Sequence, residues 1–274
     1  MISSDRQYAR RGAEIGKDIH VKALYFDCHM GMAGDMMMGA LYDLLTETQK
    51  NTFLAMMSGL GINGLEIRPV SAVRRGVRGI RMKVEFFGHE EQAGDYEDGA
   101  RFRTVNMRLR DITHVLDRLE LEPRIREEAS AVFAGIADAE SKAHNMPVTE
   151  IHFHELGTLD AVADVVGNCL LMDMLKPEKV TASPVNVGQG YVMTAHGKLA
   201  VPAPATSYLL EGIPFYSGEI ESELCTPTGA ALLRHFCSSF GPEPHFLEKH
   251  CGCGCGQKDL EAANVVFAWL GTTK

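Results

Sequence analysis

Hydrophobic and polar positions follow two rhythms along this chain, and each change of rhythm marks an element. The run Lys22-Ala-Leu-Tyr-Phe-Asp27 is short and apolar, as a buried strand requires. It leads into a loop holding Gly31 and Gly34, after which Asp35 is placed to cap a helix reaching about Leu45. A further helix extends to Gly59. Residues 64–74 and 79–87 alternate and are rich in β-branched side chains, with Arg-Gly-Val-Arg-Gly between them, which predicts a hairpin or two neighbouring strands. Helical spacing returns over 104–119 and 123–145, divided at Pro123. Thr158 can cap a strongly apolar helix running to about Leu175. Short strands, turns and helices then alternate up to a last strand near Val265–Leu270, with no repeat at solenoid spacing. The expected fold is α/β or α+β, a mixed sheet with flanking helices.

Residues 1–21 are polar and mixed in charge, and read as a flexible extension. Residues 22–271 read as one domain; the charged, glycine-bearing stretch at 89–103 is a loop or linker at which two lobes could divide. With 45% hydrophobic and 23% charged residues the composition is that of an ordinary globular protein. A net charge of −9 speaks against a general nucleic-acid binder, although Arg74, Arg75, Arg78 and Arg81 could meet an anionic ligand. No apolar run approaches membrane-spanning length and no apolar export signal opens the chain, so no membrane and a cytoplasmic location are expected. Seven cysteines, three of them at 251, 253 and 255, then read as reduced thiols. The fourteen methionines read as core filling.

The chemistry concentrates in His152-Phe153-His154-Glu155. In an extended segment His152 and His154 share a face, so two imidazoles can meet one divalent metal ion, with Glu155 joining from the following turn. A His-x-His alone is as readily structural. The helix that follows adds weight, because Asp160, Asp164 and Asn168 recur at i, i+4 and i+8 among Val, Leu, Ala and Met. Buried carboxylates need a metal, a cation or a donor network; Asp160 could equally serve the helix dipole. Asp27 ends the first strand, where ligands of open α/β sheets collect. Thr226-Pro227-Thr228 opens a helix and could bind an anion or simply cap it. His196 stands in a rigid turn as a further ligand or acid/base candidate. In Gly252-Cys-Gly-Cys-Gly256 the glycines suggest close backbone approach, and the cysteines are either small fillers or thiolates for a soft metal.

Together these segments resemble the nickel-insertion proteins that complete the nickel-pincer cofactor of lactate racemase. The likeness rests on Phe26-Asp-Cys28 with Gly31 and Gly34-Asp-Met36, on His152-Phe-His-Glu-Leu-Gly157 with Asp160 and Asp164, and on Ser183-Pro-Val-Asn-Val-Gly188 with Gly190. It continues through His196-Gly197, Val201-Pro-Ala-Pro-Ala-Thr206, Thr226-Pro-Thr-Gly229 and the glycines and Asp259 of 252–259. The resemblance implies nickel insertion into a thiocarboxylate-bearing, pyridinium-type mononucleotide precursor, dependent on CTP hydrolysis and on manganese or magnesium. His152, His154, Glu155, Asp160, Asp164, Asp27, Asp35 and His196 are the candidate metal ligands. Gly31, Gly34, Gly188, Gly190, Thr226, Thr228, Gly252, Gly254 and Gly256 are the candidate contacts for the mononucleotide.

The chain departs from that pattern at His29 and Met30, at Cys253 and Cys255, and at Ala263-Asn-Val-Val-Phe267. It also ends where a CTP-associated C-terminal domain would start, which leads to the expectation of a separate partner carrying that domain. A metal-dependent hydrolase with a His-x-His site and a non-catalytic metal-binding assembly subunit are the competing readings, and a homo-oligomer is compatible with each.

Overall fold

A computed structural model of the protein describes residues 20–90, 107–153, 159–194 and 197–274. The first half contains β1 (Val21–Asp27), α1 (Gly34–Asp43), α2 (Glu47–Ser58), β2 (Leu65–Arg74), β3 (Val77–Phe86), β4 (His89–Glu90), α3 (Leu109–Arg118) and α4 (Pro123–His144). A 3-10 turn at Val148–Glu150 precedes α5 (Leu159–Leu175) and β5 (Lys179–Ala182). Next come β6 (Val185–Asn186), β7 (Tyr191–Thr194), β8 (Gly197–Ala200), α6 (Pro204–Leu209) and β9 (Phe215–Tyr216). The chain closes with α7 (Pro227–Phe236), β10 (Ser239–Phe240), β11 (Phe246–Cys255) and β12 (Val265–Thr273).

The expected mixed sheet is present. It has eight strands in the order β10-β5-β1-β12-β11-β3-β2, with β4 beside β3. β1 runs antiparallel to β12 and parallel to β5, while β11 is antiparallel to β12 and parallel to β3. Strands from before and after residues 91–106 therefore share one sheet. β2 and β3 form the expected hairpin, turned through Arg75 and Gly76 at φ of 46° and 88°.

Helices gather on one face of this sheet around α1 and α5. α5 is apolar nearly all round, as its sequence demanded, and 13 of its 17 residues are buried. Each large aliphatic side chain so enclosed contributes ~1.5–3 kcal/mol. α4 starts at Pro123, which needs no amide partner there, and ends at Asn145 in the left-handed region. Leu24 and Phe26 of β1 and Val266 and Ala268 of β12 join this core. The alternate residues Tyr25, Asp27, Phe267 and Trp269 occupy the opposite face.

One contact sets the spacing of the layers. A Cβ on Gly254 of β11 would fall 1.9 Å from the carbonyl oxygen of Met36, and one on Gly252 would fall 2.1 Å from that of Ala40. Gly39 of α1 reciprocates, its Cβ position lying 2.5 Å from the Ile80 carbonyl of β3. The backbone of α1 thus touches the strands directly. Gly254→Ala should destabilise the fold by ~1–3 kcal/mol or more through this overlap. Gly135→Ala, in α4 with open space around it, should stabilise by ~0.5–1 kcal/mol because the helix loses a flexible residue. Urea melts of the two variants should therefore shift in opposite directions.

Candidate functional site

The first turn of α1 packs against the second and third turns of α5, at Asp164 and Asn168. Asp35 is not the helix cap that its sequence position suggested: Ala33 is the N-cap, makes no side-chain bond, and Asp35 lies in the first turn. The capping group comes instead from α5. Asp164 sits on Gly34, where a Cβ would fall 2.4 Å from Asp164 Oδ2, and the Asp35 amide beside it favours the charged carboxylate. Asn168, one turn further on, donates to the carbonyls of Gly34 and Asp164 at 2.9 Å each. The Asp160, Asp164, Asn168 stripe is thereby aimed at the start of α1, with Asp160 in the first turn of α5.

Electrostatics follow from this crowding. Burial pushes the Asp164 carboxyl well above the usual carboxylate range, and the charges of Asp160 and Asp35 push it further. Burial also raises Asp35, to about 6, against the opposing hydrogen bond from the Met36 amide and the charge of Arg81. Arg81 and Lys83 converge on Glu90, at 2.9 and 3.1 Å for the guanidinium and 3.2 Å for the ammonium. Two buried acceptors, Asp164 Oδ1 and Asn168 Oδ1, have no donor among the described residues. An oxygen left so costs ~1–3 kcal/mol, which a bound cation or an added donor would recover.

The other predicted residues fall in several places. Phe153 is buried, its amide donates to the Met107 carbonyl at 2.9 Å, and its ring meets Phe133 edge-on at 6.4 Å. This anchor leaves the neighbouring His152 partly exposed. His154, Glu155, the proposed cap Thr158 and His196 lie outside the described residues. Among the described residues no group of three or more His, Cys, Asp or Glu side chains is arranged to hold a metal ion. Asp27 does not join the acids of α1 and α5. It lies on the other face of the sheet, bonded through Oδ1 to His29 Nδ1, in a cleft of about 250 Å³ shared with Met30, Val77, Val265 and Phe267.

The candidate nucleotide contacts divide similarly. Gly31 and Gly188, at φ of 77° and 80°, have Cβ positions only 2.1 and 1.9 Å from the carbonyls of Leu224 and Ser222. Gly190 also has positive φ, at 87°. Asn186 ties these loops together, donating to the His29 carbonyl at 2.9 Å and accepting from Gly188 and Gly218 at 3.0 and 3.1 Å. Thr226 caps α7 by accepting from the Gly229 amide at 3.2 Å, and Thr228 is buried. What approaches Gly252 and Gly254 is α1, while Gly256 faces the Asn264 side chain.

A family model described as nickel insertion protein matches residues 24–274. The chain belongs to the nickel insertion protein family. It is similar, at 38% identity over 252 residues, to the pyridinium-3,5-bisthiocarboxylic acid mononucleotide nickel insertion protein of Desulfitobacterium hafniense strain DCB-2, covering 92% of this chain and 58% of that one. A putative nickel insertion protein of Synechococcus is 40% identical over 254 residues, with 92% and 61% covered. The Clostridium kluyveri relative, named like the first, is 36% identical over 252 residues, with 92% and 62% covered. The chain thus spans about three-fifths of the length of these curated relatives. No solved structure matches it.

The sequence marked His29 only as a departure from the family pattern and Arg81 only as a possible anion contact; the bond of His29 to Asp27 and the pairing of Arg81 with Glu90 were not foreseen. Asn168 was noted, but not that its oxygen would be left unpaired. The raised Asp35 pKa has a testable sign. The folded state holds this proton more tightly than the unfolded chain, so stability falls as pH rises from 3.8 to about 6. In chelator-treated protein, Asp35→Asn should melt higher than wild type above that window, with the gap closing as pH is lowered through it. Thermal melts across that range will check this, and an unchanged gap would contradict the assigned shift.

Proposed function

We propose that this chain binds nickel at the junction of α1 and α5 and takes part in its insertion into a pyridinium-type mononucleotide, the step for which its relatives are named. The observation that carries this reading is the buried, unpartnered Asp164 Oδ1, held against the N-terminus of α1. Nickel is the cargo. Asp164 and Asp35 supply oxygen ligands, Asp160 adds charge, and His152, His154 and Glu155 are the nitrogen and oxygen ligands that the sequence adds.

Such nitrogen and oxygen ligands suit delivery. They hold a borderline ion and release it to softer sulfur donors, such as the thiocarboxylates of the precursor. A carboxyl whose proton is favoured by burial, as at Asp164, gives it up as the metal enters, so binding and proton release are coupled. Arg81 and Lys83, now paired with Glu90 beside Asp35, offer cations to the anionic groups of the precursor. The loops of Gly31, Gly188, Gly190 and Thr226 are interlocked and would support that ligand from behind. In this reading CTP, with manganese or magnesium, acts through sequence that the relatives carry beyond the matched portion, in a separate partner or in the same protein. The setting is the cytoplasm, where the seven free thiols stay reduced. Among the described residues no helix is long and apolar enough to cross a membrane.

Nickel titration by equilibrium dialysis tests the site. Asp164→Asn and the double variant His152→Ala/His154→Ala should each weaken binding by ~10-fold or more. Unchanged stoichiometry and affinity in both would refute the assignment. Adding the mononucleotide precursor and CTP, with and without a partner carrying the remainder of a relative, then separates binding from insertion.

A further inference from the structure

The run Gly252-Cys-Gly-Cys-Gly256 sorts its two residue types onto the two faces of the sheet. Gly252 and Gly254 admit α1 on one face. Cys251, Cys253 and Cys255 alternate onto the other, opposite Trp269, Phe267 and Val265 of β12. We propose that Cys253 and Cys255 form a two-thiolate site for a thiophilic metal ion, on the sheet face opposite the acidic centre. It goes beyond the nickel reading above and does not depend on it.

Four observations carry the proposal. The two sulfurs converge over Gly79 of β3, where a Cβ would lie 2.6 Å from Cys253 Sγ and 2.9 Å from Cys255 Sγ; a side chain at 79 would close the space they share. Both side chains are buried, and Cys255 Sγ donates to the Ala72 carbonyl at 3.9 Å, so an ion with metal–sulfur bonds of about 2.3 Å would displace only weak thiol contacts. Arg74 stands beside Cys255 and favours its thiolate, held in place by its Nε bond to the Gly256 carbonyl at 3.0 Å. Finally, the 250 Å³ cleft of Asp27 and His29 borders the pair: Val77, Ala263 and Phe267 pack on the cysteines and also line that cleft, which offers a route for an ion.

Fillers of a small apolar cluster would need neither the opposed cation nor a neighbouring cleft. Asp43 reaches from α1 to the strand backbone, its carboxylate accepting the Cys253 amide at 3.1 Å, and Cys251 extends the row to the surface. Binding forms metal–sulfur bonds, each thiol releasing its proton to solvent, and transfers no electron. Thiolates select soft ions, whereas the carboxylates of α1 and α5 suit harder ones. The two sites therefore differ in what they hold.

Anaerobic titration of the whole chain with nickel(II) and, separately, copper(I) tests this. The expected result is a sulfur scattering shell in X-ray absorption of the wild type with at least one ion, and for nickel a thiolate charge-transfer band. The ion that gives the shell identifies the metal. The signal should be lost in Cys253→Ala and in Cys255→Ala and kept in Asp164→Asn, so failure of the acidic site and failure of this one are distinguishable. Only nitrogen and oxygen scattering with both ions, or a sulfur signal that survives both cysteine variants, would overturn the proposal. The wild-type X-ray measurement holds even if a cysteine variant fails to fold.

Discussion

The arrangement depends on a backbone-to-backbone contact between α1 and β11. Helices usually stand off a sheet by the thickness of two layers of side chains. Here Gly252 and Gly254 remove the side chains on the strand and Gly39 removes one on the helix, so carbonyl oxygens of α1 lie where Cβ atoms would otherwise be. That close seat leaves little freedom in the position of α1. It fixes where the first turn of α1 ends up, and so where α5 can present Asp164.

From this seat comes the electrostatic character of the acidic centre. The N-terminus of α1 favours negative charge at Asp164 and Asp35, while burial opposes it. Burial wins for both Asp35 and Asp164, whose carboxyls are pushed upward. Under the proposed function the cation bound here is nickel, and exchangeable oxygen and nitrogen donors would suit a cargo that must be handed on.

The same strand also separates two kinds of chemistry. β11 turns its glycines toward α1 and Cys251, Cys253 and Cys255 away, so Asp35 and Asp164 lie on the helical side of the sheet and this cysteine row on the other. Asp27, grouped by sequence with the other acids, belongs to that other side because it alternates with Phe26 along β1. Its partner is His29 rather than the acids of α5.

By itself the sequence determined the elements whose signals are local. The apolar run at β1, the β2–β3 hairpin, Pro123 at the start of α4 and the wholly apolar α5 are all visible in periodicity, because burial and backbone dihedrals act on neighbouring residues. The acidic stripe of Asp160, Asp164 and Asn168 was legible for the same reason, and the family resemblance lay in motifs spread along the chain. What only the tertiary structure decided is which face each residue meets. That Asp164, and not Asp35, caps α1, that the Gly252–Gly256 glycines admit a helix, and that Asp27 stands apart from the other acids are outcomes of strand register and helix seating. Those depend on contacts between residues more than a hundred positions apart, which no local pattern encodes.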